Sequence, residues 1–422
     1  MVCGLLEATD VTMSSQKVFD IHTDPDPGAG TEIDAHGGGK EPRYKYTTLT
    51  GYFLQDDVST DPYGFDFTKT NFGLLDRAYD SDNTLPNNGR DMTGWQRFEH
   101  HISELNKNAN KVRHESGTST KVEYKLLFLG RHGNGFHNVA ERYYGAVAWD
   151  CYFSTLDSDK DKIMIWADAH LTKEGIRQAQ EANTFWKHQI KEERIGLPQS
   201  YYASPLDRAL ETANVTFGDI QPSGTDFRPI VMERAREGAG IHTCDRRSSV
   251  TYIHSRFPKF ITDQDPLLTE TDTFWDPIYR ETNEALAIRQ AKLLDSIVAK
   301  DRNERISITA HSGAISMLLH AVGHRKFVLG TGAVIPVLIK VEPADHKSMV
   351  RDENDPAGVG LPTQLDYEIE EGDKWQTIPK CPADLDLETI GFQRWKMGLK
   401  EFLAGVENGT LQIEEVAFKG RH

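Results

Sequence analysis

Cysteine is scarce in this chain of 422 residues. Only Cys3, Cys151, Cys244 and Cys381 occur, and no two form a C-x-x-C, which excludes a disulfide-dense small scaffold and the common zinc and redox motifs. Reduced thiols are the simplest expectation. Long apolar runs are missing as well: no stretch approaches the roughly 18 residues of a membrane span. The opening MVCGLLEATD lacks the basic start and apolar centre of a secretory leader. Together these absences lead us to expect a cytoplasmic or nuclear location and no membrane partner. Basic residues are outnumbered, 48 Lys and Arg against 64 Asp and Glu, and the net charge of −16 argues against nucleic acid as a partner. An acidic surface also repels phosphorylated compounds at long range. Any attraction to one must come from a local basic pocket.

Hydrophobic residues make up 38% of the chain, enough for a sizeable core, and no internal repeat divides it. Residues 1–42 are breaker-rich, with Pro25, Pro27 and the Gly37-Gly38-Gly39 run, and read as a flexible lead. Aromatics accumulate from Tyr44 to Glu115, which suggests an ordered extension over residues 43–120 packed on a core, with a helix at 92–108. Residues 121–422 then form the main domain.

Two segments of that domain stand out. Leu126-Leu127-Phe128-Leu129-Gly130 and Ile306-Ser307-Ile308-Thr309-Ala310 read as strands covered on both faces, and they run into Arg131-His132-Gly133 and His311-Ser312-Gly313. In an open parallel sheet the functional crevice lies beyond the carboxyl ends of the strands, so His132 and His311 converge if the strands are neighbours. A helix starting at Ser312 would offer backbone N–H groups to an anion. A third segment, Ser204-Pro205-Leu206-Asp207-Arg208, reads as a helix start with Ser204 as N-cap, placing Arg208 in the first turn. Two arginines and two histidines suit a tetrahedral dianion.

In these three motifs, in this order, the chain resembles the histidine phosphatase superfamily, also called phosphoglycerate-mutase-like, and within it a fungal branch of mutase-like phosphatases. The resemblance covers roughly residues 121–341. It implies an α/β fold, a three-layer α/β/α with a mostly parallel central sheet, plus the N-terminal extension. It implies His132 as nucleophile, with Arg131, Arg208 and His311 around the phosphoryl oxygens. The attacking nitrogen must then be unprotonated, with the other N–H held by an acceptor such as a backbone carbonyl. No cofactor or metal is required. The general acid is expected in Met232-Glu233-Arg234-Ala235-Arg236-Glu237-Gly238, with Glu237 chosen over Glu233 because it precedes the Gly238-Ala239-Gly240 turn. Such an acid should be partly shielded and clear of arginine pairing.

Residues 238–275 form the expected specificity insertion. It brings His242, Arg246 and Arg247 toward the substrate's non-reacting end, with Arg246 as a substrate-binding residue; the alternative has Asp245 pairing an arginine to fix the loop. His242 and Cys244 alone make a poor zinc site, so metal binding is not expected. Asn138 is assigned to phosphate, and His137 divides between phosphate and loop. Asn134 departs from the Glu or Gln common in related sequences, which puts inferred specificity in question. Leu171-Thr172-Lys173-Glu174-Gly175 is a further family-like stretch with a structural role, Thr172 capping a helix to Ile190. Further helices are expected at 277–300 and 387–403, and a strand at 334–339 with Pro336 at an irregular or edge position.

These readings predict a phosphomonoesterase acting on a small intracellular phosphate ester. The alternatives are a phosphoglycerate mutase-type transferase and a non-catalytic phosphate-binding protein.

Overall fold

In the computed structural model, which describes residues 43–117, 121–344 and 369–411, Leu126 and Phe128 pack on one side of a sheet and Leu127 and Leu129 on the other. Residues two apart on a strand share a face, so this unbroken apolar run belongs to a strand buried on both sides. That strand is the centre of the fold.

In chain order the strands are β1 (Tyr44–Thr48), β2 (Glu123–Arg131), β3 (Ser200–Ala203), β4 (Ile230–Val231), β5 (Tyr279–Glu281), β6 (Arg305–Ala310), β7 (Val334–Pro343) and β8 (Trp375–Thr377). The helices are α1 (Gly94–Ser116), α2 (Phe136–Tyr144), α3 (Ala146–Cys151), α4 (Lys173–His188), α5 (Asp207–Phe217), α6 (Val250–Arg256), α7 (Asn283–Lys300), α8 (Ser312–Ala321), α9 (Ile390–Trp395) and α10 (Leu399–Glu407). Six strands form one sheet in the order β1, β7, β2, β6, β3, β4, while β5 and β8 make a separate antiparallel ribbon. Strands β2, β6, β3 and β4 are parallel; β7 runs antiparallel to β2, and β1 to β7. The three-layer α/β/α fold is present, and its sheet is mixed. Helices α1, α4 and α5 cover the Phe128 side with Trp95, Trp186 and Leu210, and α7 and α8 cover the Leu127 side with Leu294, Ile315 and Leu318. Each such side chain contributes about 1.5–3 kcal/mol by leaving water.

The N-terminal extension enters the sheet itself. β1 forms its edge, and Phe72 packs with its ring centroid 4.8 Å from Trp186 and 5.6 Å from Phe128. The expected lead at 1–42 lies outside the described residues.

Several local expectations change. The helix expected from 277 starts at Asn283, capped by Thr282, because residues 279–281 are taken by pairing with β8. The helix expected over 387–403 is two helices, broken where Lys396 turns left-handed at φ 58° and Gly398 caps α10. Strand β7 is internal, yet β1 reaches only from Ile339 to Pro343, so at Pro336 only the Phe128 side is paired. A residue without an N–H is tolerated there. The expectation of reduced thiols is corrected at two positions: Cys151 and Cys381, 230 residues apart in sequence, form a disulfide, and the thiol argument for an intracellular location goes with it. Spacing could not reveal a bridge that only the tertiary fold closes. Cys244 is a buried thiol, and Cys3 lies outside the described residues. No helix among the described residues is long and apolar enough to cross a membrane.

Candidate active site

Strands β2 and β6 are neighbours, with Arg131 opposite Ala310, so the residues that follow, His132 and His311, leave the sheet side by side. Their ring centroids are 5.1 Å apart, and His137, the second residue of α2, lies 5.2 Å from His132. His132 is almost wholly buried. Its Nδ1 lies 2.7 Å from Gly133 O, and since a carbonyl only accepts, Nδ1 carries the proton and Nε2 the lone pair. Burial first, then Arg208 and Arg131, hold this imidazole well below the ordinary histidine range. Burial and Arg208 do the same to His137 and His311. The site thus contains neutral rings among guanidinium groups.

Arg208 is buried on the first turn of α5. Its Nη1 donates to Cys244 O at 2.5 Å and its Nη2 to Asp245 Oδ1 at 2.9 Å, while Nε is buried with no partner among the described residues. His311 Nε2 lies 2.7 Å from Ser204 Oγ, and its Nδ1 is also buried without a partner among the described residues. Unpaired buried donors are costly unless a ligand meets them. Arg131 donates from Nη1 to Leu329 O at 2.6 Å.

Glu237 is half-buried, and its carboxyl accepts from the backbone N–H groups of Gly313, Ala314 and Gly238. No arginine pairs with its side chain among the described residues. Glu233, the alternative acid, is bound to Arg236 at 2.6 Å and to Arg247 at 2.8 Å, and is spent as an ion pair.

The catalytic-type loop is shaped by α4. A Cβ on Gly133 would fall 2.4 Å from Gly175 O, and one on Gly175 would fall 2.1 Å from Asn134 O, so the two backbones touch where only glycines fit. Thr172 Oγ1 caps α4 and donates to Asn134 Oδ1 at 2.9 Å, while Asn134 N donates to Gln178 Oε1 at 2.8 Å. The Leu171 to Gly175 stretch is therefore a mould for the His132 loop. The unusual Asn134 turns its carbonyl oxygen to Thr172.

A model of the histidine phosphatase superfamily (branch 1) matches residues 154–329, a span holding Arg208, Glu237 and His311. A relative from Arthroderma benhamiae named "Probable phosphoglycerate mutase" is 49% identical over 302 residues, 71% of this chain and 86% of that one. The chain belongs to the histidine phosphatase superfamily. "Phosphomutase-like protein 3" of Candida albicans is 38% identical over 52% of this chain and 66% of its own, and a "Phosphoglycerate mutase-like protein" of Arabidopsis thaliana is 30% identical over 47% and 75%.

Two expected residues of this histidine phosphatase superfamily chain, Ser204 and Arg247, sit elsewhere than foreseen. Ser204 is not the N-cap: α5 starts at Asp207 after Leu206, because Ser204 N still donates to Thr309 O of the sheet and its hydroxyl meets His311. Asn138 Oδ1 accepts from Gly135 N at 2.9 Å. Arg247 turns inward, to Glu233 and to Thr269 O, and is not offered to a substrate. Arg246 pairs with Asp157 at 2.8 Å and lies 5.0 Å over Trp275, making none of its contacts with the His132 cluster.

His242, Cys244 and Asp245 bring one ligand atom each within 4.8 Å of one another, but both Asp245 oxygens are on arginines, and burial pushes the Cys244 thiol up. That chemistry suits an ion-pair network better than a cation.

Of the two readings of the 238–275 loop, the one with Asp245 paired to an arginine holds, and the arginines are Arg208 and Arg280; sequence reasoning missed those two as the partners, Ser204's contact with His311, and Arg289. The buried Arg289 guanidinium donates to the carbonyls of Arg234, Arg236 and Glu237, with Glu281 as counter-ion, and so holds the segment that carries Glu237. No local pattern marks any of them.

Proposed function

We propose that this chain is a cofactor-independent phosphomonoesterase that works through a phosphohistidine on His132. The observation that carries the reading is the buried, neutral His132, its Nδ1–H on Gly133 O so that Nε2 keeps the lone pair, with the His311 ring 5.1 Å away and Arg208 near enough to lower its basicity. In the first step Nε2 attacks phosphorus in line, the P–O ester bond breaks, and Glu237 in its acid form gives its proton to the leaving oxygen. In the second, water attacks the same phosphorus, the P–N bond breaks, and the Glu237 carboxylate takes the water's proton. Arg208 Nε, His311 Nδ1 and Arg131 stabilise the equatorial charge in both steps. The expected substrate is a small phosphate ester; the expected setting is cytoplasmic or nuclear, without nucleic-acid or membrane partners.

A second reading is supported by the name of the Arthroderma relative: transfer to a second hydroxyl, as a phosphoglycerate mutase would perform. This requires the phosphohistidine to be protected from water.

The test is phosphate release across sugar phosphates, phosphoglycerates, nucleotides and inositol phosphates, with a phosphoglycerate isomerisation assay and a His132→Ala control. Release that vanishes in the variant supports the phosphatase. Isomerisation without release supports the transferase. Undiminished release by His132→Ala excludes the mechanism.

A further inference from the structure

Arg208 does not face a phosphate alone. Its Nη2 donates to Asp245 Oδ1 at 2.9 Å with both side chains sealed from solvent, so a full negative charge lies against the arginine that must hold a dianion. A carboxylate in that place cancels much of the field an incoming anion would feel. The other Asp245 oxygen, Oδ2, accepts from Arg280 Nη1 at 3.2 Å, and the same Nη1 donates to Gly240 O at 3.0 Å. Arg280 arrives from β5, held in register opposite Gln376 of β8. Its side chain is 23% exposed, against 1% for Arg208 and 3% for Asp245, so it closes the open side of a buried pair. Its Nη2 would lie 3.4 Å from a Cβ placed on Gly238, the residue after Glu237. Arg280 therefore stands where the phosphate arginine and the acid-bearing turn meet.

We propose that Arg280 is a positioning residue for Arg208: acting through Asp245, it fixes the Arg208 guanidinium and offsets the Asp245 charge, so that Arg208 meets phosphate as a cation. Arg208, Asp245 and Arg280 together carry one net positive charge; without Arg280 they carry none. The inference rests on the phosphatase reading for the identity of the ligand. It adds a residue outside the three motifs that point to that reading.

The test is the affinity of the full chain for inorganic phosphate, measured by titration calorimetry on wild type, Arg280→Gln, Arg280→Lys, Asp245→Asn and the Asp245→Asn, Arg280→Gln double variant. Arg280→Gln should bind phosphate about tenfold more weakly, and Arg280→Lys, which keeps the charge, should recover most of that loss. In the Asp245→Asn background the Arg280→Gln change should cost less than about twofold, because the group it acts through is gone. Wild-type affinity in Arg280→Gln, or an equal loss in both backgrounds, overturns the proposal; the second result would make Arg280 a direct ligand. If Arg280→Gln alone does not fold, the two Asp245→Asn proteins carry the test: near-equal affinities support the proposal and a further tenfold loss overturns it. A wild type that releases phosphate from no ester yet shows the expected pattern defeats the phosphatase reading and leaves this inference. Active wild type with an Arg280→Gln protein of unchanged affinity does the reverse.

Discussion

The backbone N–H of Gly313 donates to Glu237 Oε2 at 2.8 Å, and that of Ala314 to Oε1 at 3.1 Å. The first turn of α8 thus holds a carboxyl from a segment 76 residues away. A helix start leaves backbone N–H groups without intrahelical partners; here the protein's own carboxyl accepts from two of them. A Cβ on Gly313 would fall 2.3 Å from Oε1, so the glycine after His311-Ser312 is what lets the acid reach the helix. Glu237 is thereby tied to the helix that begins beside His311, whose ring is 5.1 Å from that of His132.

If Glu237 protonates the leaving group, Glu237→Gln should slow alkyl phosphates by about 10²–10⁴-fold and p-nitrophenyl phosphate by much less, since nitrophenolate scarcely needs a proton. Steady-state rates on the two substrates check this. Equal losses would move the acid away from Glu237, and Glu233, committed to Arg236 and Arg247, is not a substitute.

Ser204 is the only hydrogen-bond partner of the His311 side chain among the described residues. Ser204→Ala should lower kcat by roughly tenfold, the size of one lost hydrogen bond to a group that acts on charge, and lower stability by about 1–3 kcal/mol because buried His311 Nε2 loses its partner. An unaltered kcat would leave His311 oriented by packing alone.

Gly175→Ala tests the moulding of the His132 loop. With Asn134 O only 2.1 Å from the new carbon, the loop backbone has to shift, and a loss of stability of about 1–3 kcal/mol should accompany a large loss of kcat. Denaturant unfolding and kcat on one preparation decide it; a stable, active variant would show that the two backbones can separate.

The three site histidines also set a pH dependence of stability. His132, His137 and His311 are held well below their ordinary value of 6.5, so below about pH 6.5 the unfolded chain binds protons that the folded chain refuses. Their contribution is present above pH 6.5 and is lost as pH falls. Half-exposed His170, raised by Asp207, works in the opposite direction. The melting temperature should fall between pH 7 and pH 5, and less steeply in His132→Ala. A parallel fall in the two proteins would show that His132 contributes nothing to it.

The strands flanking the site were legible because their residues announce themselves locally. Leu126 to Gly130 and Ile306 to Ala310 are apolar on consecutive positions, which only a strand covered on both faces tolerates, and the structure has them parallel and adjacent. Thr172 was legible as a cap because capping acts within three residues, and its hydroxyl accepts from Gly175 N. Ser204 misled for the same reason: it has a capping residue's chemistry, but the ladder bond to Thr309 holds it on the sheet.

Legible in the residues alone were the parts and their order: two strand-to-loop histidines, an arginine on a first helical turn, and a carboxyl before a glycine turn. These depend on periodicity and on propensities that act over a few residues. Only the tertiary structure decided the pairings between distant segments: Arg208 with Asp245 and Arg280, His311 with Ser204, Glu237 with Gly313, and Cys151 with Cys381. The physical reason is that a buried charge or thiol takes whichever partner the packed elements bring within about 3 Å. That choice depends on strand order, strand register and the direction in which each side chain leaves its backbone.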